Sequence, residues 1–100
     1  MSNISNHQIV YFSTSTCGPC KVSKPFVEKI SKERGIDTLF YIVDKEEGGN
    51  AVAVQYNVRA VPTIVFFEDG KETYRRVGMV KEAEFNQMCD EHLPSAEIDF

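Results

Sequence analysis

The two residues best suited to chemistry in this 100-residue chain are Cys17 and Cys20, which lie three positions apart with Gly18 and Pro19 between them. Such a CxxC pair can alternate between dithiol and disulfide or can bind a metal ion. The motif falls between an apolar run that predicts a strand and a segment that predicts a helix. Free N–H groups and the dipole at a helix amino terminus stabilise an anion. We therefore predict that Cys17 is the nucleophile and that Cys20, one turn further in, resolves the intermediate.

The two residues inside the motif are predicted to shape the active-site loop without reacting themselves. Gly18 has no side chain in the path of an incoming disulfide. Pro19 has a fixed φ and no N–H group, which suits the first turn of a helix. The loop around Cys17 is therefore expected to be rigid and open.

The motif must be held by the elements on either side of it. Residues 8–13, QIVYFS, contain four consecutive bulky apolar residues, which is typical of a short buried strand. The helix that follows is predicted to begin at residues 17–19 and to end before Gly35, with a kink at Pro25. Its apolar face is predicted to consist of Val22, Phe26, Val27 and Ile30.

The middle of the chain predicts a second strand and a short helix. Residues 37–43, DTLFYIV, form a nearly unbroken apolar run, which favours a strand buried on both faces at the centre of an α/β sheet. Residues 50–56 follow a polar turn and predict a short helix, with Asn50 as its amino-terminal cap. A covered sheet of this kind needs helices on both sides.

The last third of the chain predicts a β-hairpin and a final helix. Asp69-Gly70 is a strong hairpin signal, and it joins predicted strands over residues 63–68 and 71–78. Residues 81–93 predict a helix whose apolar side chains recur at helical spacing, namely Phe85, Met88, Cys89 and Leu93.

The resulting order, β-α-β-α-β-β-α, predicts an α/β fold with a central mixed four-stranded sheet flanked by three helices. One hundred residues suffice for one compact domain, so we expect a single domain over residues 1–100. Residues 1–7 form a polar amino-terminal segment, and residues 94–100 are predicted to be a loose tail after Pro94.

Composition narrows the range of partners. Eleven Lys and Arg against fifteen Asp and Glu give a net charge of −4, which argues against direct binding of nucleic acid. No apolar run approaches the length that crosses a bilayer, so no membrane partner is expected. The polar amino terminus resembles no secretion signal, and we expect a cytoplasmic monomer.

Other reactive side chains have simpler interpretations. Cys89 and His92 form a CxxH that could, with Cys17 and Cys20, nominally bind zinc. Cys89 lies on the apolar face of the last helix, however, so we interpret it as a core residue and His92 as a surface residue. His7 is interpreted as a solvated histidine. No metal site is predicted.

Several motifs together resemble the thioredoxin family. They are the CGPC sequence followed by Lys21, Pro25 five residues beyond the second cysteine, Ala60-Val61-Pro62-Thr63 before an apolar strand, and the Asp69-Gly70 hairpin. The resemblance covers residues 9–93, and its spacings are specific. It implies a thiol–disulfide oxidoreductase that reduces protein disulfides, with a redox-active Cys17–Cys20 disulfide and no bound cofactor. It also implies recycling by thioredoxin reductase or a similar electron donor, a flavoprotein that uses NADPH.

The resemblance also implies a docking surface for substrate proteins. In the family a cis peptide bond precedes the proline that corresponds to Pro62, which lies against the nucleophile. Val61 would then offer its backbone N–H and C=O to an extended substrate segment. The predicted substrate-binding residues are Thr16, Val61, Pro62 and Gly78, beside the active-site loop residues Gly18 and Pro19.

Three positions depart from the family pattern. Thr16 stands where the family usually has Trp, and the chain contains no Trp. Tyr11 replaces a buried carboxylate six residues before the nucleophile, and Phe40 replaces its lysine partner. We interpret Tyr11 as a core aromatic with a hydroxyl that is a weak candidate for influencing Cys20. In addition, only seven residues precede the first predicted strand, so the family's initial strand and helix are not expected.

The sequence thus leaves two functional hypotheses. The first is a thioredoxin-type protein-disulfide reductase that acts through Cys17 and Cys20. The alternative is a protein-binding module that uses the same surface and in which redox activity is incidental.

Overall fold

The computed structural model describes residues 7–45 and 49–92, with side chains for all of these except residues 49 and 50. The elements are β1 (His7–Ser13), α1 (Gly18–Arg34), β2 (Asp37–Ile42), α2 (Gly49–Gln55), β3 (Thr63–Glu68), β4 (Lys71–Val77) and α3 (Glu82–His92). The predicted order and the mixed four-stranded sheet with three helices are confirmed. The predicted tail, residues 94–100, and the core position assigned to Leu93 lie outside the described residues. Helix α2 begins at Gly49, so Asn50 lies within the helix and is not its amino-terminal cap as predicted.

The strand order β2-β1-β3-β4 brings three chain segments to one end of the sheet. β1 pairs parallel with β2 and antiparallel with β3, and β3 pairs antiparallel with β4. Phe12, near the end of β1, lies opposite Thr63 at the start of β3, and Thr63 lies opposite Val77 at the end of β4. The loops that follow β1, precede β3 and follow β4 therefore meet at this end.

The prediction that residues 37–43 form a strand buried on both faces is wrong. Among the described strands β2 is at the edge of the sheet, paired with β1 on one side. Asp37 is exposed, and Leu39 retains 48% of its accessible surface. An apolar run resembles a central strand, but strand order decides which strands have neighbours on both sides.

The alternation of side chains along β1 and β3 divides the core between the two faces of the sheet. One face carries Ile9, Tyr11, Ile64 and Phe66 against α1 and α3, and its buried cluster includes Val27, Ile30, Phe85, Met88 and Cys89. The other face carries Phe12, Val65 and Phe67, against which α2 places Val52. The core position predicted for Cys89 is confirmed, since its exposure is 0%.

Helix α1 buries most of the predicted face, since Val27 and Ile30 are buried and Phe26 packs against the same core, but Val22 does not belong to it. Val22 is 57% exposed, whereas the buried residues of the helix are Cys20, Ser23, Val27, Ile30 and Ser31. Their spacing follows the helical period, but two of them are serines, which a search for apolar residues passes over. Pro25 lies within the helix on its exposed side, and α1 continues to Gly35, whose φ of +70° closes it.

Both histidines are less exposed than predicted, although the His92 side chain keeps 29% of its accessible surface. His7 belongs to β1 and is partly buried, with Nε2 3.8 Å from the Glu68 carboxylate on β3. The His92 ring stacks on Tyr74 with ring centroids 3.9 Å apart, and it also meets the edge of Phe66. Aromatic neighbours on the sheet thus shield a side chain that the sequence places on an otherwise polar helix face.

Candidate active site

The two cysteines of the motif are joined as a disulfide at the amino terminus of α1. Cys17 is the capping residue, with an extended backbone at φ −83° and ψ 111°, and Cys20 lies in the first turn. The Cα atoms of the pair are 5.3 Å apart. A tight turn after β1 sets this position, because the Cys17 N–H donates to the Thr14 carbonyl at 3.3 Å.

The surroundings of the two sulfurs differ in a way that favours negative charge on Cys17. The backbone N–H of Cys20 donates to Cys17 Sγ at 3.1 Å, so the sulfur itself caps the helix. The first turn of α1 contains no acidic residue that would oppose this effect. Cys17 is 8% exposed and Cys20 4% exposed, while Gly18 and Pro19 beside them are exposed. Both cysteines are therefore buried, and Cys17 is the slightly more exposed residue of the two.

A polar clamp that sequence reasoning missed holds the loop before the cysteines. The Ser15 N–H and hydroxyl donate to the two carboxylate oxygens of Asp44 at 2.9 and 2.5 Å. These hydrogen bonds hold the pKa of the Asp44 carboxyl below its usual value. Ser15 follows β1 and Asp44 follows β2, and the ends of parallel strands meet at one edge. The parallel pairing of these two strands is therefore the sequence signal from which the Ser15–Asp44 contact could have been found. Thr16, the next residue, is exposed.

The segment before β3 carries the second group of predicted site residues. The Val61–Pro62 peptide bond is cis, as the resemblance implies. Pro62 is buried and Val61 partly buried. The Gly78 N–H donates to the Pro62 carbonyl at 2.8 Å, which ties the loop after β4 to this segment. The sheet register places both at the end of β1 that leads into the cysteine motif.

Two exposed apolar side chains flank Gly78. Val77 is 53% exposed and Met79 is 48% exposed. Arg76 fixes this loop, since its guanidinium donates to the Met79 carbonyl at 3.0 Å and pairs with Glu84 at 3.2 Å. Exposed apolar groups beside a reactive disulfide are suited to contact with another protein.

Beneath the first turn of α1 lies a fully buried pair of hydroxyl groups, from Tyr11 of β1 and Ser23 of α1. The two oxygens are 2.5 Å apart. Tyr11 Oη also lies 3.3 Å from the Cys20 carbonyl oxygen, and Ser23 Oγ lies 3.2 Å from the Pro19 carbonyl oxygen. Burial raises the pKa of Tyr11, and the hydrogen bond with Ser23 opposes that rise in part. The core position predicted for Tyr11 is confirmed. Sequence reasoning missed Ser23, although it lies three residues beyond Cys20 on the same helix face.

Comparison with known proteins agrees with this geometry. A family model described as thioredoxin matches residues 1–91. The chain belongs to the thioredoxin family. Thioredoxin from Mycoplasmoides gallisepticum is 32% identical over 80 residues, which are 80% of this chain and 78% of that protein. Thioredoxin H-type 1 from Nicotiana tabacum is 38% identical over 90 residues, which are 90% of this chain and 69% of that protein.

Solved thioredoxin structures share the fold. Fasciola hepatica thioredoxin superposes with a TM-score of 0.78 at 33% identity, covering 90% of this chain and 84% of that one. A mutant thioredoxin from Halobacterium salinarum has a TM-score of 0.79 at 26% identity, and the match covers 94% of this chain and 79% of that one. The fold is therefore thioredoxin-like. The chain is a thiol–disulfide oxidoreductase that reduces protein disulfides, and its reactive group is the Cys17–Cys20 disulfide.

Two further observations concern metals and membranes. Across residues 7–45 and 49–92, no three His, Cys, Asp or Glu side chains are arranged to hold a metal ion. Within the same ranges, each helix is too short or too polar to cross a bilayer.

Proposed function

We propose that Cys17 attacks substrate disulfides and that Cys20 resolves the product. The Cys17 thiolate attacks one sulfur of the substrate disulfide, forming a mixed disulfide while the other substrate sulfur leaves with the bonding electron pair. Cys20 then loses its proton to solvent or to that thiolate and attacks Cys17 Sγ. The Cys17–Cys20 bond forms, the bond from Cys17 to the substrate breaks, and the substrate leaves fully reduced. Two electrons have passed from the dithiol to the substrate.

The observation that carries this assignment is the hydrogen bond from the Cys20 N–H to Cys17 Sγ. A donor aimed at the sulfur from a helix amino terminus stabilises the thiolate, which is the nucleophilic form. Cys20 receives no such bond among the described contacts and is the less exposed residue. The order of attack therefore follows from the position of each cysteine in the first turn.

Substrate docking is proposed to use the surface around the cysteines. An extended substrate segment would pair with the backbone of Val61, in the manner of strand addition. Thr16, Gly18, Pro19, Pro62 and Gly78 would line this surface. Because backbone pairing and apolar contact demand little of the substrate sequence, the surface suits many protein disulfides.

Recycling needs a two-electron donor, since every turnover leaves the Cys17–Cys20 pair oxidised. We assign this role to thioredoxin reductase or a similar flavoprotein that draws on NADPH. The chain would act as a monomer in the cytoplasm, carrying electrons to substrate proteins and maintaining redox balance. The net charge of −4 supports protein partners over nucleic acid.

The direct test is reduction of insulin by dithiothreitol, followed as turbidity. The wild-type chain should accelerate the reaction well above the uncatalysed rate, and Cys17→Ser should abolish the acceleration. Cys89→Ser is the matched control, because Cys89 is buried in the core and should leave the rate unchanged. Acceleration that survives Cys17→Ser, or no acceleration by the wild type, would refute the assignment.

The binding-module alternative draws support from the exposed apolar side chains of Val77 and Met79. It predicts that Cys17→Ser/Cys20→Ser protein replaces the wild type in cells that depend on this chain. The reductase predicts that the double variant fails. The two hypotheses are thus separated by one complementation experiment.

A further inference from the structure

The buried hydroxyl pair formed by Tyr11 and Ser23 lies directly under the residue proposed to resolve the mixed disulfide. Both side chains have 0% exposure. The Ser23 hydroxyl donates to the Pro19 carbonyl, so the single phenol proton of Tyr11 is shared between the Ser23 oxygen at 2.5 Å and the Cys20 carbonyl oxygen at 3.3 Å. The pair therefore contacts the backbone of two consecutive residues of the CGPC motif.

We propose that Tyr11 and Ser23 are positioning residues, which hold the first turn of α1 so that the Cys20 sulfur stays within reach of Cys17. This inference rests on the proposed roles of the two cysteines. Neither hydroxyl touches a sulfur, so the effect passes through the backbone of residues 19 and 20.

The anchor is rigid because Tyr11 sits in the middle of the sheet. On β1 it pairs with Phe40 of β2 on one side and with Ile64 of β3 on the other. Its ring packs against that of Phe40 with centroids 5.5 Å apart. The two residues between the cysteines, Gly18 and Pro19, are exposed and do not pack against the core. A link from the centre of the sheet to this turn limits its motion.

By limiting this motion, the hydroxyl pair raises the effective concentration of the Cys20 sulfur at the Cys17 sulfur. Groups held in reacting geometry exchange faster and favour the joined state, because the entropy of orienting them has been lost in folding. Without the hydroxyl pair the Cys17–Cys20 disulfide should become easier to reduce, and Cys20 should release a bound substrate more slowly.

The test measures the equilibrium between the Cys17–Cys20 disulfide and glutathione for Tyr11→Phe, Ser23→Ala and the double variant. Each single substitution should lower the equilibrium constant for the disulfide about fivefold, the factor that one net hydrogen bond contributes. The double variant should lower this equilibrium constant by less than the product of the two single factors, since the hydroxyls act as a unit. Tyr41→Phe is the matched control, because Tyr41 lies on the neighbouring strand and stacks on Phe12 across the opposite face. It should stay within twofold of the wild type.

A purely structural role gives a different result. If Tyr11→Phe and Ser23→Ala lower the urea midpoint but keep the wild-type equilibrium with glutathione, the proposal is overturned. Should one variant fail to fold, the other decides the question alone. The cysteine roles are tested separately with Cys20→Ser, which should accumulate glutathione on Cys17. Failure of that arm would refute the proposed function, while the glutathione equilibrium of the hydroxyl variants still reports on positioning.

Discussion

Replacing Gly78 by alanine tests how the loop after β4 serves the site. Gly78 has φ +96°, a conformation that residues with a Cβ atom rarely adopt. Its N–H donates to the carbonyl of Pro62 at 2.8 Å, so a shift of this residue moves the segment that carries the cis bond. A Cβ added at this position meets no atom within 4 Å. The cost of Gly78→Ala is therefore backbone strain and contains no steric clash.

The size of the effect follows from that strain. A left-handed conformation costs a residue with a side chain about 1–2 kcal/mol relative to glycine. For a chain of 100 residues, 1 kcal/mol lowers the melting temperature by roughly 5 °C. If the loop relaxes to relieve the strain, the backbone beside Pro62 is displaced, and a small misplacement of a docking group can cost about tenfold or more in kcat/KM.

Gly35→Ala provides the control, because Gly35 has φ +70° and equally open surroundings at the far end of α1. Both variants should melt below the wild type in calorimetry. In the insulin assay Gly78→Ala should lose kcat/KM, while Gly35→Ala should retain it. Equal activity of the two variants would show that the Gly78 loop takes no part in docking. An unchanged melting temperature for both would contradict the strain argument itself.

Three further predictions concern stability measured by urea unfolding. Phe66→Ala removes a fully buried ring and should cost about 3–5 kcal/mol, whereas Leu39→Ala at the exposed edge should cost less than about 1 kcal/mol; equal losses would contradict the assigned core. Burial raises the pKa of the Cys89 thiol to about 11. The stability that the neutral buried thiol gives the fold is therefore complete below pH 9 and is lost between pH 9 and 11, by up to about 1.4 kcal/mol per pH unit. Cys89→Ala should reduce this slope. The Ser15 hydrogen bonds lower the pKa of Asp44, so the stability advantage over Asp44→Asn should be present above pH 3.8 and shrink as the pH falls further; an advantage that grows in acid would refute the clamp.

The chemistry of this chain is more visible in its sequence than the packing around it. Cys17 and Cys20 are identified by spacing and by the strand-to-helix context, and the hairpin at Asp69-Gly70 by turn chemistry. These signals are local, because a helix start or a tight turn is determined by a few consecutive residues. The order of the elements follows from them.

Features that depend on which elements become neighbours were not predictable in the same way. The apolar run containing Leu39 resembles a central strand, yet its exposure depends on strand order. Ser23 carries no chemical signature of its own, and its importance comes from Tyr11 lying opposite it across the interface of β1 and α1. His92 resembles a surface residue until Tyr74 on β4 is brought under its ring.

The central claim is that Cys17 carries the reactive thiolate, and alkylation across pH tests it most directly. Fully reduced protein is treated briefly with iodoacetamide between pH 5 and 10, and the modified cysteine is located by peptide mass spectrometry. We expect modification first at Cys17, with a rate profile whose midpoint lies below the value of about 8.5 for a free thiol. Modification first at Cys20 or Cys89, or a Cys17 profile no different from that of an unstructured peptide, would contradict the account.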